Sequence, residues 1–216
     1  MLKSNKHVFW EALFVTIVIF LIGLFIGLFI ENSRASDIQD YYTASEINLF
    51  DSLVITEMLK QGGLDCDLVK NENLKFADKI YQEARLLEKY DESGKLSDSI
   101  KLLHKKYDLL RTLAWINNKE AIKQCQNYDV IIYLYEYEPD SSKIKAEQII
   151  WSEILSNVKR IMGGDLILIP IAADSELTSL NLMLSELKIT TFPAVIINDK
   201  QVIHSLKSPE EILSLL

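Results

Sequence analysis

A chain of 216 residues, 49% hydrophobic and 25% charged, allows one or two small domains. Its net charge of −8, with no Lys/Arg cluster, argues against nucleic-acid binding, which needs a basic face for phosphates, and against electrostatic docking on anionic lipid. No Gly/Ser-rich linker, low-complexity tract or repeat of 20–50 residues stands out, so a tethered array or a solenoid is not indicated.

Much of the hydrophobic excess lies in the first 30 residues. Ala12 to Ile30 carries no charge and is rich in Phe, Ile, Leu and Val. Nineteen residues at about 1.5 Å each span roughly 28 Å, close to the hydrocarbon core of a bilayer. The stretch is longer than the apolar region of a signal peptide, and Ala35 alone does not make a small-x-small cleavage site. The pattern predicts a retained signal anchor in a single-pass membrane protein. Lys3, Lys6 and the amino terminus precede the span, whereas Glu31, Asp37 and Asp40 follow it with only Arg34 as a nearby base. The positive-inside rule then places the N-terminus in the cytoplasm and the soluble region outside, with Trp10 as an interfacial anchor. The first 30 residues carry Lys3 and Lys6 against Glu11, so the rest of the chain holds a charge of about −9. Gly23 and Gly27 form a GxxxG stripe that would let a second helix approach closely, or that reflects only the frequency of Gly in such helices.

Residues 32–127 read as helical. A first segment, Asp37 to Gln61, places Ile38, Tyr42, Leu49, Leu53 and Leu59 near one face, and Gly62-Gly63 stops it. A second helix runs from about Asp67 to Tyr90, with Leu74, Ala77, Ile80, Ala84 and Leu87 at steps of three and four. A turn at Glu92 to Lys95 follows. A third helix runs from Ser97, an N-cap, to Gln124, with Ile100, Leu103, Tyr107, Leu110, Ala114 and Trp115 as core positions. His104, among Lys101, Lys105 and Lys106, reads as solvated and not as a metal ligand, because no second His or Cys has ligand spacing. The two cysteines are Cys66, at the start of the second helix, and Cys125, at the end of the third. Two helices of roughly 36–42 Å paired antiparallel bring these ends together. A structural disulfide follows if the region is extracytoplasmic; two buried free thiols or a working redox pair are the alternatives.

The rhythm changes at Asp129. Val130 to Tyr135 reads as a buried strand, Ser141 to Met162 as a helix ended by Gly163-Gly164, and Leu166 to Ile171 as a second strand. Asp174-Ser175 opens a helix through Leu187. Ala194 to Ile197 is a third strand, and Asn198 to Lys200 turns into a fourth, Gln201 to Ser205. Ser208-Pro209 starts a last helix. The order β-α-β-α-β-β-α over residues 128–216 implies an α/β domain with helices covering a central sheet.

This order, together with Ile189-Thr190-Thr191-Phe192-Pro193-Ala194-Val195-Ile196-Ile197-Asn198, resembles the thioredoxin superfamily, which has a cis-proline at the position of Pro193. The whole chain, an anchor (1–31), a helical region (32–127) and this domain (128–216), also resembles small archaeal membrane proteins of the same plan. The chain departs from the family where the redox Cys-x-x-Cys belongs. Glu138, Pro139, Asp140 and Ser141 stand there, and neither Glu nor Ser can attack or resolve a disulfide. The resemblance therefore implies a redox-inactive module. Its remaining feature would be a peptide-binding platform at Phe192 and Pro193, faced by Tyr137 and Pro139, to which an extended segment adds as a strand.

Glu136, Glu138 and Asp140 lack calcium-loop spacing and read as a solvated loop, so no metal or cofactor is expected. No Ser-His-Asp set, phosphate loop or HExxH appears. The expected function is non-enzymatic: binding of an extracytoplasmic peptide or protein. The alternatives are a thiol-disulfide oxidoreductase using Cys66 and Cys125, and a structural envelope protein oligomerised through Gly23 and Gly27.

Overall fold

The computed structural model describes the backbone of residues 6–63, 65–91 and 97–216, and the side chains of residues 9–28, 101–216 and most of 50–82. Two compact units are present, residues 1–50 and 51–216. Helix α1 runs without a break from Lys6 to Gln61. The anchor and the segment after it, read as separate helices, are one, because Glu31 to Ser36 contains neither Gly nor Pro to interrupt the hydrogen-bond ladder. Gly62 and Gly63 end it at φ values of +75° and +81°, where a side chain would be strained. Within it Phe9–Leu28 is apolar and long enough to cross a membrane, and none of it is buried by the chain. Twenty residues cover about 30 Å. Nothing lies within 4 Å of where a Cβ would sit on Gly23 or Gly27.

In the second unit α2 (Cys66–Asp91) and α3 (Ser97–Gln124) pack together as the paired helices expected from their lengths. The turn read at Glu92 to Lys95 lies outside the described residues, as do the side chains of Ala84, Leu87, Ser97 and Ile100. Helix α2 starts one residue early because the Asp65 carboxylate accepts from the amides of Asp67 and Leu68 at 2.9 and 3.0 Å, capping its first turn. Helix α3 buries Tyr107, Leu110, Leu113, Ala114, Trp115 and Ala121, a wide arc that fits its place between α2 and the sheet.

The sheet has the order β2-β1-β3-β4, built from β1 (Asp129–Tyr135), β2 (Leu166–Ala172), β3 (Ala194–Ile197) and β4 (Gln201–Ile203). Strand β1 pairs parallel with β2 through α4 (Ser142–Met162) and antiparallel with β3, with Leu134 opposite Ala194. Strands β3 and β4 join through the three residues Asn198 to Lys200, with Asn198 and Asp199 at positive φ and the Lys200 amide donating to the Ile197 carbonyl at 3.0 Å. The Asn198 carboxamide accepts from the Val130 amide at 2.8 Å and donates to Asp129 at 2.7 Å, tying this hairpin to β1. Residues 130–134 are all buried, as a central strand covered on both faces requires. On one face Ile131, Tyr133, Val195, Ile197 and Ile203 pack with Trp151, Leu155 and Val158 of α4 and Ile212 of α6 (Pro209–Leu213). Helices α2 and α3 cover the other, and α5 (Thr178–Glu186) packs on α3. The helical pair and the sheet thus share one compact unit, although the secondary-structure pattern changes at residue 127.

Two element ends differ from the sequence reading. Helix α5 begins at Thr178 and not at Asp174, because the Asp174 carboxylate is bonded to another loop and Glu176 sits at φ +54°. Strand β4 stops at Ile203 and not Ser205, since its partner strand begins at Ala194, next to Pro193, which has no N–H to donate. The other predicted elements lie within one residue of their expected ends. The last helix opens with a complete capping box between Ser208 and Glu211.

Candidate functional site

The parallel pair places the C-terminal ends of β1 and β2 side by side, and the loops that leave them meet there. The antiparallel register of β3 brings Phe192-Pro193 alongside the same end of β1. The Phe192-Pro193 peptide is cis. Loop 136–141 and segment 190–193, the two candidate stretches, therefore share one end of the sheet.

Loop 136–141 is shaped by side chains distant in sequence. The Asp174 carboxylate accepts from the amides of Tyr137 and Glu138 at 2.8 and 3.0 Å. Gln148 of α4 accepts from the Glu136 amide at 2.9 Å and donates to its carbonyl at 3.0 Å. Asp174 is itself placed by the end of β2, where the buried Asp108 carboxylate of α3 accepts from the Ala172 amide at 3.1 Å and from Arg111 at 3.1 Å. Burial holds the Asp108 carboxyl above the usual carboxylate range, against the lowering pull of Arg111 and the Ala172 amide. Partial desolvation, then the neighbouring carboxylates of Asp174 and Asp140, also raise Glu136. On the other side of β1, Tyr133 stacks on Tyr135 with centroids 5.7 Å apart and donates its hydroxyl to the Gln148 carbonyl at 3.0 Å.

Within loop 136–141, Glu138 is exposed and ion-paired with Lys101 at 2.8 Å, Pro139 is half-buried, and Asp140 is exposed. Ser141 is the N-cap of α4, its Oγ accepting from the Ile144 amide at 3.2 Å. Tyr137 and Phe192 are half-buried. Pro193 is buried, so the accessible apolar surface consists of Tyr137, Pro139 and Phe192. His104, read as solvated, is instead half-buried and packs its ring 4.5 Å from that of Tyr137. The reason is that α3 crosses this end of the sheet, which its own sequence does not reveal. Asp174, Gln148 and Lys101 escaped the sequence reading because each acts through a contact 12 or more residues away. The one available signal, Asp174-Ser175, has the composition of a helix start.

Cys66 and Cys125 form a disulfide with Cα atoms 5.4 Å apart. It joins the start of α2 to the end of α3, four residues before β1 begins. Seven strand residues, roughly 20 Å, separate that end of β1 from loop 136–141. The sulfurs therefore sit at the opposite end of the sheet from the candidate site, and no free cysteine remains.

No protein-family model matches the chain, and no curated protein or solved structure matches it significantly.

Proposed function

We propose that this is a membrane-anchored, redox-inactive module of thioredoxin-like fold, which binds an extracytoplasmic protein or peptide at the surface formed by Tyr137, Pro139 and Phe192. The observation that carries the reading is the meeting of loop 136–141 and segment 190–193 at one end of the sheet. There three half-buried apolar residues are ringed by exposed Glu138, Asp140, Ser141, Thr190 and Thr191. A small apolar centre with a polar rim has the anatomy of a protein–protein contact. The backbone of Thr190 and Thr191 would pair with an extended segment as an added strand. The thioredoxin-like reading is supported by the order β-α-β-α-β-β-α and by the place of Phe192-Pro193 before β3.

Disulfide exchange at loop 136–141 has no support, because it requires a thiolate there and both sulfurs lie at the other end of the sheet. The disulfide and the charges flanking the apolar span support an anchored protein with the N-terminus in the cytoplasm and the larger unit outside, where disulfides persist. A photo-crosslinking amino acid at position 137 or 192, activated in native membranes, tests the reading. Reproducible capture of the same heterologous proteins is expected, with no capture from position 156 on the exposed face of α4. Self-adducts alone would favour the oligomeric envelope protein instead, and equal capture at all three positions would refute a specific surface here.

A further inference from the structure

Helix α3 is buried unevenly along its length. From Tyr107 to Ala121 most of its residues are buried, whereas Lys101 to Lys106 are exposed or half-buried. The deep part is held by the Asp108 bond to the Ala172 amide, by Trp115 donating to Asp199 at 3.4 Å, and by the disulfide at Cys125. The shallow part lies on the candidate site itself. Lys101 pairs with Glu138 at 2.8 Å, their side chains 56% and 65% exposed. Lys105 pairs with Glu176 at 3.6 Å, the latter 88% exposed. Between these pairs the His104 ring rests on Tyr137. Exposed ion pairs are weak and salt-screened, so this contact is much easier to break than the buried packing that begins at Tyr107. Segments held this way open locally while the rest of a domain stays folded.

We infer that residues 101–106, in the N-terminal part of α3, are an autoinhibitory latch over the Tyr137 surface, which a partner displaces. This rests on the binding function proposed above. A displacing segment has to replace what the latch supplies: a cation beside Glu138 and an apolar or aromatic group against Tyr137. The partner class is therefore an extended peptide with a basic residue next to an aromatic or aliphatic one. The acidic rim of Glu138, Asp140 and Glu176 complements such a segment once Lys101 and Lys105 leave.

The test uses the full chain in detergent micelles, as wild type and as Lys101→Ala/Lys105→Ala. A control, Lys123→Ala/Lys200→Ala, carries the same charge change at the other end of the sheet. Hydrogen exchange is expected to speed up about fivefold at residues 136–141 and 101–106 in the unlatched variant, with residues 107–115 and 129–135 unchanged. A labelled peptide of alternating lysine and phenylalanine is then expected to bind the unlatched variant about fivefold more tightly than the wild type and the control, which should agree with each other. An unchanged rate at 136–141, or an acceleration that spreads through 107–115, would overturn the latch. Equal peptide affinity for all three chains would also overturn it, while leaving the binding surface intact. Binding by none of them, alongside the expected exchange pattern, would instead sink the binding function and with it the autoinhibitory role.

Discussion

Removing the Cys66–Cys125 disulfide should destabilise the larger unit without altering its native structure. The bond closes a loop with a sequence separation of 59. In the chain-entropy model such a loop contributes about 4 kcal/mol by restricting the unfolded chain. The native ends of α2 and α3 have other ties. Asn127 donates to Asp67 at 2.9 Å, and Lys70 donates to the Asn127 carbonyl at 3.2 Å and to Asp165 at 2.6 Å. Those bonds hold the geometry when the sulfurs are gone, so the loss falls on the unfolded state. For a unit of residues 51–216, 4 kcal/mol corresponds to a fall in Tm of about 12 °C. The assay is thermal and urea unfolding of Cys66→Ala/Cys125→Ala in detergent, followed by near-UV circular dichroism from the buried Trp115 and Trp151. An unchanged spectrum at low temperature with a large drop in Tm is expected. A loss below about 1 kcal/mol, or a native spectrum already collapsed at 20 °C, would refute the reasoning.

Three further outcomes follow from the site. Because burial raises Asp108 above its ordinary value of 3.8, the folded state binds its proton more tightly than the unfolded state. The stability from this group is full below that value and is lost as pH rises through the folded pKa. The wild type's stability relative to Asp108→Asn, from urea unfolding at pH 4 to 7, should therefore decline with pH; a rise would mean that the pairing with Arg111 outweighs burial. Asp174→Ala removes the acceptor of two loop amides, so hydrogen exchange at Tyr137 and Glu138 should rise at a cost of about 1 kcal/mol, with no change at Ile131 to Leu134. Ser141→Ala should cost about 1 kcal/mol through loss of the α4 cap, read by urea unfolding.

The apolar run from residue 9 to 28 is readable from sequence because a bilayer span needs only length and hydropathy, both local properties. The helix and strand periods, the capping box at Ser208 and the hairpin at Asn198-Asp199 are legible for the same reason: each rests on residues within four positions of one another. Even the cysteine pairing follows from helix length and antiparallel packing. The continuity of α1 could have been seen in the missing Gly and Pro of residues 31–36, but the composition change there suggested a boundary. What the tertiary structure decided is the site. Pro193 is buried and not presented, His104 stacks on Tyr137 and is not solvated, and the carboxylate of Asp174 shapes a loop that precedes it by more than 30 residues. The lower burial of residues 101–106 also depends on where α3 crosses the sheet. That crossing is set by the packing of Asp108, Trp115 and Cys125 against three different elements, and no local pattern in the chain encodes it.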